Sequence, residues 1–329
     1  MKVAINGFGR IGKLVLRQGI KEKNIEWVVN HPSGIDSALH VFKFDSVHGT
    51  YPGTIKADGN NLIIDGKKVL IISERVTPDK LPWKKLGVEI VIESTGLFRG
   101  KEDAGLHLNA GAKKVVISAP AKGDIESFVM GVNTFKLDKS GSVIDNASCT
   151  TNCLMPILKV LNDNFKIKKA FMTTIHGYTA DQSLVDGTHK DLRRARAAAL
   201  NIIPTSTGAS EAAAKVMPEL KGKIEGKSIR VPVPAGSLID VTALVEKDTS
   251  VEEINKAMKK ASEKELKGIL EYSEDPLVST DILGNTHSSI FDSEQTKVVG
   301  GNLVQVVAWY DNEIGYSQRV VDLIKSLKI

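Results

Sequence analysis

The stretch "KVAINGFGRIGKLVLRQGIK", Lys2 to Lys21, decides the fold. Its first five residues, Lys2–Asn6, read as a short apolar strand, and "GRIGKLVLRQGIK" carries the spacing of an amphipathic helix. Between them lies Gly7-Phe8-Gly9-Arg10-Ile11-Gly12, a complete G-x-G-x-x-G. Alone that pattern is weak, because glycines punctuate loops everywhere. A strand before it and a helix after it are the confirming context for a dinucleotide site, against the bland reading of an ordinary βα turn. Gly7 permits the tight turn, Gly9 lets backbone approach a pyrophosphate, and Gly12 allows close helix–strand packing. The phosphates then sit at the positive end of the helix.

About 20 residues further on, such a unit usually carries an acid for the ribose 2′-hydroxyl. Here the second strand ends in "NHPSG", with His31 at that place. The nearest carboxylate, Asp36, falls third after Ser33 and is expected to serve a capping box there. Without an acid, the main repulsion of a 2′-phosphate is gone, which favours NADP. In one reading His31 pairs with that phosphate and Ser33 donates to it. In the other His31 sits on a solvated loop and NAD binds more weakly.

The alternation continues with strand "IEWVVN", helix "SGIDSALHVFKF" and strands in "EIVIEST", "KKVVISAP" and "SVIDNAS". Crossover units of this kind build a mostly parallel sheet. Asp-Gly turns in "TIKADGNNLIIDGKKVLIISE" predict antiparallel strands inserted in it. From Cys149 the rhythm changes: helix "CTTNCLMPILKVLNDNF", strand "KAFMTTI", and a long loop rich in Arg and Ala. Strands follow at "SIRVPVP", "LIDVTALVE", "SSIFD" and "LVQVVAWY", with helix "SVEEINKAMKKASEKEL" among them. An α/β fold is expected, with a dinucleotide-binding domain followed by an α+β domain on a mixed, largely antiparallel sheet. The closing "GYSQRVVDLIKSLKI" has apolar residues at helical spacing, and the spacing leaves open where it docks.

With 329 residues, 42% hydrophobic and 25% charged, the chain has the composition of a soluble globular protein and room for two cores. Met1 leads directly into a strand, so no leader is expected, and no apolar run approaches the roughly 20 residues of a bilayer span. A net charge of +5, dispersed, suits phosphorylated metabolites and is too diffuse for nucleic acid. Two cysteines four apart, Cys149 and Cys153, exclude a disulfide framework and point to a reducing, cytoplasmic setting.

Cys149 in "ASCTTNC" stands where a loop becomes a helix, and that end favours a thiolate. Ser148, Thr150 and Thr151 add hydroxyls and amides for an oxyanion or phosphate. Its base is expected to be His176. From Cys149 to Asn164 the helix climbs roughly 22 Å, and from Lys169 to His176 a strand covers roughly 23 Å. A strand returning along the helix brings His176 beside Cys149. Most cysteines are small buried hydrophobes, and Cys153, one turn deeper, is expected to be one. Zinc is not expected, since C-x₃-C lacks a second ligand pair. His40, His48, His107, His189 and His287 read as structural or surface groups.

"HKDLRRARAAALNIIPTSTGAS" gathers Lys190, Arg193, Arg194 and Arg196, then Thr205, Ser206, Thr207 and Gly208 ahead of a helix. Some of these cations are simply a solvated face. Arg230, within the apolar "SIRVPVP", differs because it needs an anionic partner. Dinucleotide, thiolate and two phosphate sites together suggest oxidation of a phosphorylated aldehyde.

"INGFGRIG", "ASCTTNC", "HKDLRRARAAALNIIPTSTGA" and "WYDNEIGYS" resemble phosphorylating glyceraldehyde-3-phosphate dehydrogenase over essentially the whole chain. The resemblance implies a Rossmann domain, residues 1–148 with 313–329, and a catalytic domain, residues 149–312. It implies a homotetramer in which a loop near residues 177–201 approaches a neighbour's cofactor. Cys149 would be the nucleophile and His176 the base. Thr179 and Arg230 would hold the phosphate of glyceraldehyde 3-phosphate, and Ser148, Thr150, Thr207 and Gly208 inorganic phosphate, with Arg194 shared. Arg10, Ile11, Thr95, Gly96, Ser118 and Asn312 would contact the cofactor, no metal being involved.

Three departures matter. NAD-preferring members carry an acid where this chain has His31, and usually Pro where it has Thr188; plastid-type NADP-using relatives have a small hydroxylated residue at the latter. With Arg75 near the adenosine, the pattern favours NADP, or use of both NADP and NAD. Ser183, where the family commonly has Arg, leaves the loop's path open. Rival readings are erythrose-4-phosphate dehydrogenase, a relative that releases a free acid, and a protein that binds RNA or host surfaces without catalysis. No basic patch interleaved with aromatics supports the second.

Overall fold

In the structure, a computed structural model describing residues 1–329, the opening stretch becomes strand β1 (Lys2–Asn6) and helix α1 (Arg10–Gly19). There follow β2 (Glu26–Asn30), α2 (Gly34–Lys43), β3 (Ile55–Asp58), β4 (Asn61–Ile64) and β5 (Lys67–Ile72). Then come α3 (Trp83–Leu86), β6 (Ile90–Glu93), α4 (Lys101–Asn109), β7 (Lys114–Ile117), β8 (Glu126–Ser127) and β9 (Val143–Asp145). The strands form one sheet in the order β3-β4-β5-β2-β1-β6-β7-β9-β8. All pairings are parallel except β3–β4 and β4–β5.

Those two antiparallel strands extend the sheet's edge rather than being inserted within it. Asp65 (φ 48°) and Gly66 (φ 81°) give the two-residue turn between β4 and β5 the left-handed backbone that matches strand twist. In the middle, β1 pairs with β2 on one side and β6 on the other. Strand order reverses there, which opens a crevice at the carboxyl ends of β1 and β6. Val3, Ala4, Ile5, Ile90, Val91 and Ile92 are wholly buried, as parallel strands covered on both faces require.

The second sheet is built from β10 (Ile167–Gly177), β11 (Ile203–Thr205), β12 (Ile224–Val231), β13 (Ser237–Val245), β14 (Leu270–Ser273), β15 (Ser289–Val299) and β16 (Leu303–Tyr310). Their order is β11-β12-β10-β13-β16-β15-β14, with β10–β12 and β14–β15 parallel and the other pairs antiparallel. It is a mixed, largely antiparallel sheet. Helices α5 (Cys149–Phe165), α6 (Ala209–Val216) and α7 (Val251–Glu263) pack on it, and α8 (Ile314–Ser326) ends the chain. In β13 buried and half-exposed residues alternate along the whole strand, so one face meets the helices and the other does not.

By contacts the chain forms two compact units: Met1–Phe128 with Thr134–Ser148 and Ser317–Ile329, and Val129–Asn133 with Cys149–Tyr316. Val129–Asn133 groups with the second because Gly131 lies against Leu266. The boundary near the end falls inside α8.

The glycines of the first turn predict opposite outcomes. A Cβ on Gly12 collides with the Gly7 carbonyl oxygen, so Gly12→Ala should cost roughly 1–3 kcal/mol in urea unfolding. Gly9 has no atom within 4 Å of that position and no left-handed backbone, so Gly9→Ala should leave the midpoint in place.

Candidate active site

In the first unit, helix α1 begins at Gly9 without a side-chain cap and without an acid in its first turn. Its leading amides are therefore available to an anion. Space over Gly9 and the tight fit of Gly7, where a Cβ would lie 2.7 Å from the Thr95 nitrogen, suit a pyrophosphate lying on bare backbone. The Arg10 guanidinium turns elsewhere. It bonds Asp45 at 2.6 Å, beside Lys13 at 2.8 Å, so at the crevice Arg10 and Ile11 offer backbone N–H groups. Burial opposes ionisation of Asp45, but Lys13, the amides of His48 and Val47, and Arg10 outweigh it and hold the carboxyl well below its ordinary range.

Thr95 and Ser118 are also tied down. The Thr95 amide donates to Glu93 Oε1 at 2.8 Å and its hydroxyl bonds the same oxygen. Ser118 Oγ donates to the Glu93 carbonyl at 3.0 Å and meets Ser94 Oγ at 2.7 Å. Gly96 (φ 75°) stays open. His31 lies at the end of β2 with Nε2 3.0 Å from Ser37 Oγ and its ring edge-on to Phe8 at 5.9 Å. Burial pushes its pKa below the ordinary 6.5, so it is uncharged at neutral pH.

The capping box expected of Ser33 and Asp36 is not formed. Ser33 has ψ 5° rather than the extended backbone of a capping residue, which carries its hydroxyl away from the Asp36 amide. Arg75 is exposed just beyond β5, where Asn30 grips the Glu74 backbone at 2.9 and 3.1 Å.

In the second unit, Lys166 (φ 62°) turns the chain from α5 into β10, and Asn162 Oδ1 accepts from the Ile167 amide at 3.2 Å. The strand runs back along the helix and sets His176 Nε2 3.4 Å from Cys149 Sγ. His176 Nδ1 lies 2.6 Å from the Gly177 carbonyl, which can only accept, and 3.3 Å from Arg230 Nη1, which can only donate. The much shorter contact decides, so we place the ring hydrogen on Nδ1 and leave Nε2 bare toward the sulfur. Burial pushes the Cys149 thiol up, opposed by Arg230 and the Thr150 amide. Burial, and then Arg230, drive His176 down to about 3. The resting pair is thus a thiol facing a neutral base. Cys153 is wholly buried, its Sγ 3.5 Å from Ser289 Oγ, and burial raises its thiol further.

Arg230 stands opposite His176 in the β10–β12 register. Its Nη1 donates to Thr179 Oγ1 at 2.8 Å and the Gly177 carbonyl at 3.2 Å, while its buried Nε has no partner. Arg194 holds Asp181 at 2.6 Å and donates to Thr205 Oγ1 at 3.0 Å and the Ser206 carbonyl at 3.1 Å. Asp181 also bonds the Thr179 hydroxyl. A carboxylate therefore already lies where two guanidinium groups invite an anion. Thr207 Oγ1 accepts from the Ala209 amide at 3.2 Å, Gly208 starts α6, and Ser148 and Thr150 flank Cys149.

Asp181 and Tyr310 escaped the sequence reading. The Tyr310 hydroxyl bridges Thr150 Oγ1 (2.9 Å) and Thr174 Oγ1 (2.8 Å), with its ring edge-on to His176. Its place in "WYDNEIGYS" was the available signal. Asn312 Oδ1 accepts from the Gly236 amide (3.1 Å) and Ser237 Oγ (3.0 Å), which leaves Nδ2 as a donor. Thr188 is exposed on the long loop. Ser183 bonds that loop through backbone alone, to the Arg194 carbonyl and the Ala198 amide.

A dinucleotide-type sheet in one unit and a thiol facing an imidazole in the other put the chain among NAD-binding oxidoreductases. Residues 1–101 match the family described as "Glyceraldehyde 3-phosphate dehydrogenase, NAD binding domain", and residues 148–312 match its "C-terminal domain". The chain belongs to the glyceraldehyde-3-phosphate dehydrogenase family. It is 55% identical to that dehydrogenase of Geobacillus stearothermophilus, over 98% of this chain and 97% of the relative. It is 54% identical to the Nostoc "Glyceraldehyde-3-phosphate dehydrogenase 2" over 98% and 97%. For the chloroplastic enzyme of Arabidopsis thaliana the identity is 52%, over 98% of this chain and 82% of the relative.

Arg230 pulls both Cys149 and His176 down, so Arg230→Gln should raise both. At any given pH less thiolate is then present. The rising limb of iodoacetamide alkylation in cofactor-free protein should move up by about one pH unit. A limb that stays or moves down contradicts the assignment.

Proposed function

We propose that this chain oxidises glyceraldehyde 3-phosphate, with inorganic phosphate as second substrate, to 1,3-bisphosphoglycerate. The observation that carries the reading is the 3.4 Å approach of Cys149 Sγ to a bare imidazole nitrogen, beside Arg230 and Thr179. Nε2 takes the thiol proton as sulfur attacks the aldehyde carbon, and returns it to the resulting oxyanion to give a hemithioacetal. The same nitrogen then removes the hydroxyl proton as hydride departs, leaving a thioester. A bound nicotinamide dinucleotide supplies the hydride acceptor. Phosphate attacks the thioester carbon, forming the acyl phosphate and releasing the sulfur.

Thr179 and Arg230 hold the substrate's phosphate in this account, displacing Asp181 from Arg194 as the anion arrives. Ser148, Thr150, Thr207 and Gly208 receive inorganic phosphate. Gly7, Gly9, Gly12 and the amides of Arg10 and Ile11 take the pyrophosphate, with Thr95, Gly96 and Ser118 alongside and Asn312 Nδ2 for the carboxamide. Residues 1–148 with 313–329 serve the dinucleotide, and 149–312 the chemistry. Five large apolar side chains exposed on one segment, Leu184, Val185, Leu192, Leu200 and Ile202, support a homotetramer. Two free cysteines favour the cytoplasm.

NADP is the preferred cofactor, or is used alongside NAD. Support comes from the missing carboxylate at His31, the partnerless Ser33 hydroxyl, and the exposed Arg75 and Thr188. His31, being uncharged, contributes a hydrogen bond and no repulsion.

Cys149→Ser should abolish turnover, and His176→Asn should lower kcat by about 10²–10⁴ with the fold intact. Turnover should require phosphate or arsenate; phosphate-independent release of free acid favours the erythrose-4-phosphate reading. Steady-state kcat/KM should be at least as high with NADP as with NAD. His31→Asp should reduce that ratio by about 10–100-fold, and a strong NAD preference in the parent rejects the cofactor assignment.

A further inference from the structure

Glu93 ends β6 with its carboxylate buried and no lysine or arginine against it. Four donors meet it instead. Asn6 Nδ2 donates to Oε2 at 2.7 Å and His107 Nε2 lies 3.0 Å from the same oxygen. The Thr95 amide and hydroxyl bond Oε1. The direction of the His107 bond is fixed from its far side. Trp83 Nε1, which can only donate, gives its hydrogen to His107 Nδ1 at 2.9 Å. Nδ1 therefore accepts, and Nε2 carries the hydrogen that goes to Glu93. A buried carboxylate without a cation needs such a donor set to offset its lost solvation.

The groups so gathered flank the phosphate loop. Asn6 immediately precedes Gly7 and is held in turn by Asn30 at 2.9 Å from the end of β2. The Ser94–Thr95 backbone is the surface against which Gly7 fits, leaving no room for a side chain. Glu93 thus fastens the ends of β1 and β6, the two strands that border the crevice.

We propose that Glu93, oriented by His107 and Trp83, is a positioning residue for the dinucleotide: it fixes the distance between the Gly7 loop and the Ser94–Thr95 turn. Cofactor affinity depends on it, while the chemistry at Cys149 does not. The proposal rests on the reading that this loop binds a dinucleotide. Titrating the parent protein with NADH and NADPH tests that reading first and separately.

The variants then test Glu93. Glu93→Gln keeps the shape but turns an amide toward donors, so Kd and KM for the cofactor should rise about tenfold or more. Saturated kcat should stay within about twofold. Should Glu93→Gln fail to fold, the pair His107→Gln and His107→Leu decides. Glutamine can accept from Trp83 and donate to Glu93, so its Kd should stay within about threefold of the parent, whereas leucine should lose about tenfold. A folded Glu93→Gln protein with unchanged Kd overturns the proposal, as does equal loss of kcat and affinity. So does leucine matching glutamine at position 107.

Discussion

The site depends on one reversal of the chain: a 17-residue helix and an 11-residue strand that runs back along it, joined by a single left-handed residue, Lys166. Because the strand retraces the helix, the first residue of one and the tenth of the other come together. Nothing else in the second unit needs to move for sulfur to meet imidazole. The parallel neighbour β12 then sets Arg230 level with His176, so a guanidinium lies one strand away from the imidazole. Tyr310 pins both elements from behind, through Thr150 and Thr174.

Burial has two consequences there. It keeps the resting thiol and imidazole uncharged, and it makes each guanidinium beside them count for more than it would in water. Arg230 favours thiolate while disfavouring imidazolium, so an anion on Arg230 shifts the balance toward a protonated ring. The internal Asp181 carboxylate already occupies part of that role: it is paired with Arg194 and feels the charge of Arg230, whose buried Nε stays without a partner.

Much of this was legible in the sequence. "GFGRIG" between strand and helix located the turn from β1 into α1, and Cys149 at the start of a helix located the second unit's first turn. The mixed sheet followed from long apolar strands in mixed order, with a helix among them. What failed was local. Ser33 followed by Asp36 has the letters of a capping box, but the backbone at Ser33 does not extend, and spacing cannot reveal that. The hairpin β3–β4–β5 was visible in its Asp-Gly turns, whereas its place at the edge depends on which strand β5 pairs with. His107 read as structural, and its role in orienting a buried carboxylate needs Trp83, 24 residues away, to be seen. Asp181 was hidden because its meaning comes from two arginines distant in sequence.

The central claim is that a covalent acyl group passes through the sulfur of Cys149. Intact-protein mass spectrometry after mixing enzyme, oxidised cofactor and glyceraldehyde 3-phosphate without inorganic phosphate tests it most directly. A single phosphoglyceroyl adduct should appear, fragmentation should assign it to Cys149 rather than Cys153, and added phosphate should discharge it. Full turnover with no adduct on any time scale, or an adduct carried by Cys153, contradicts the account.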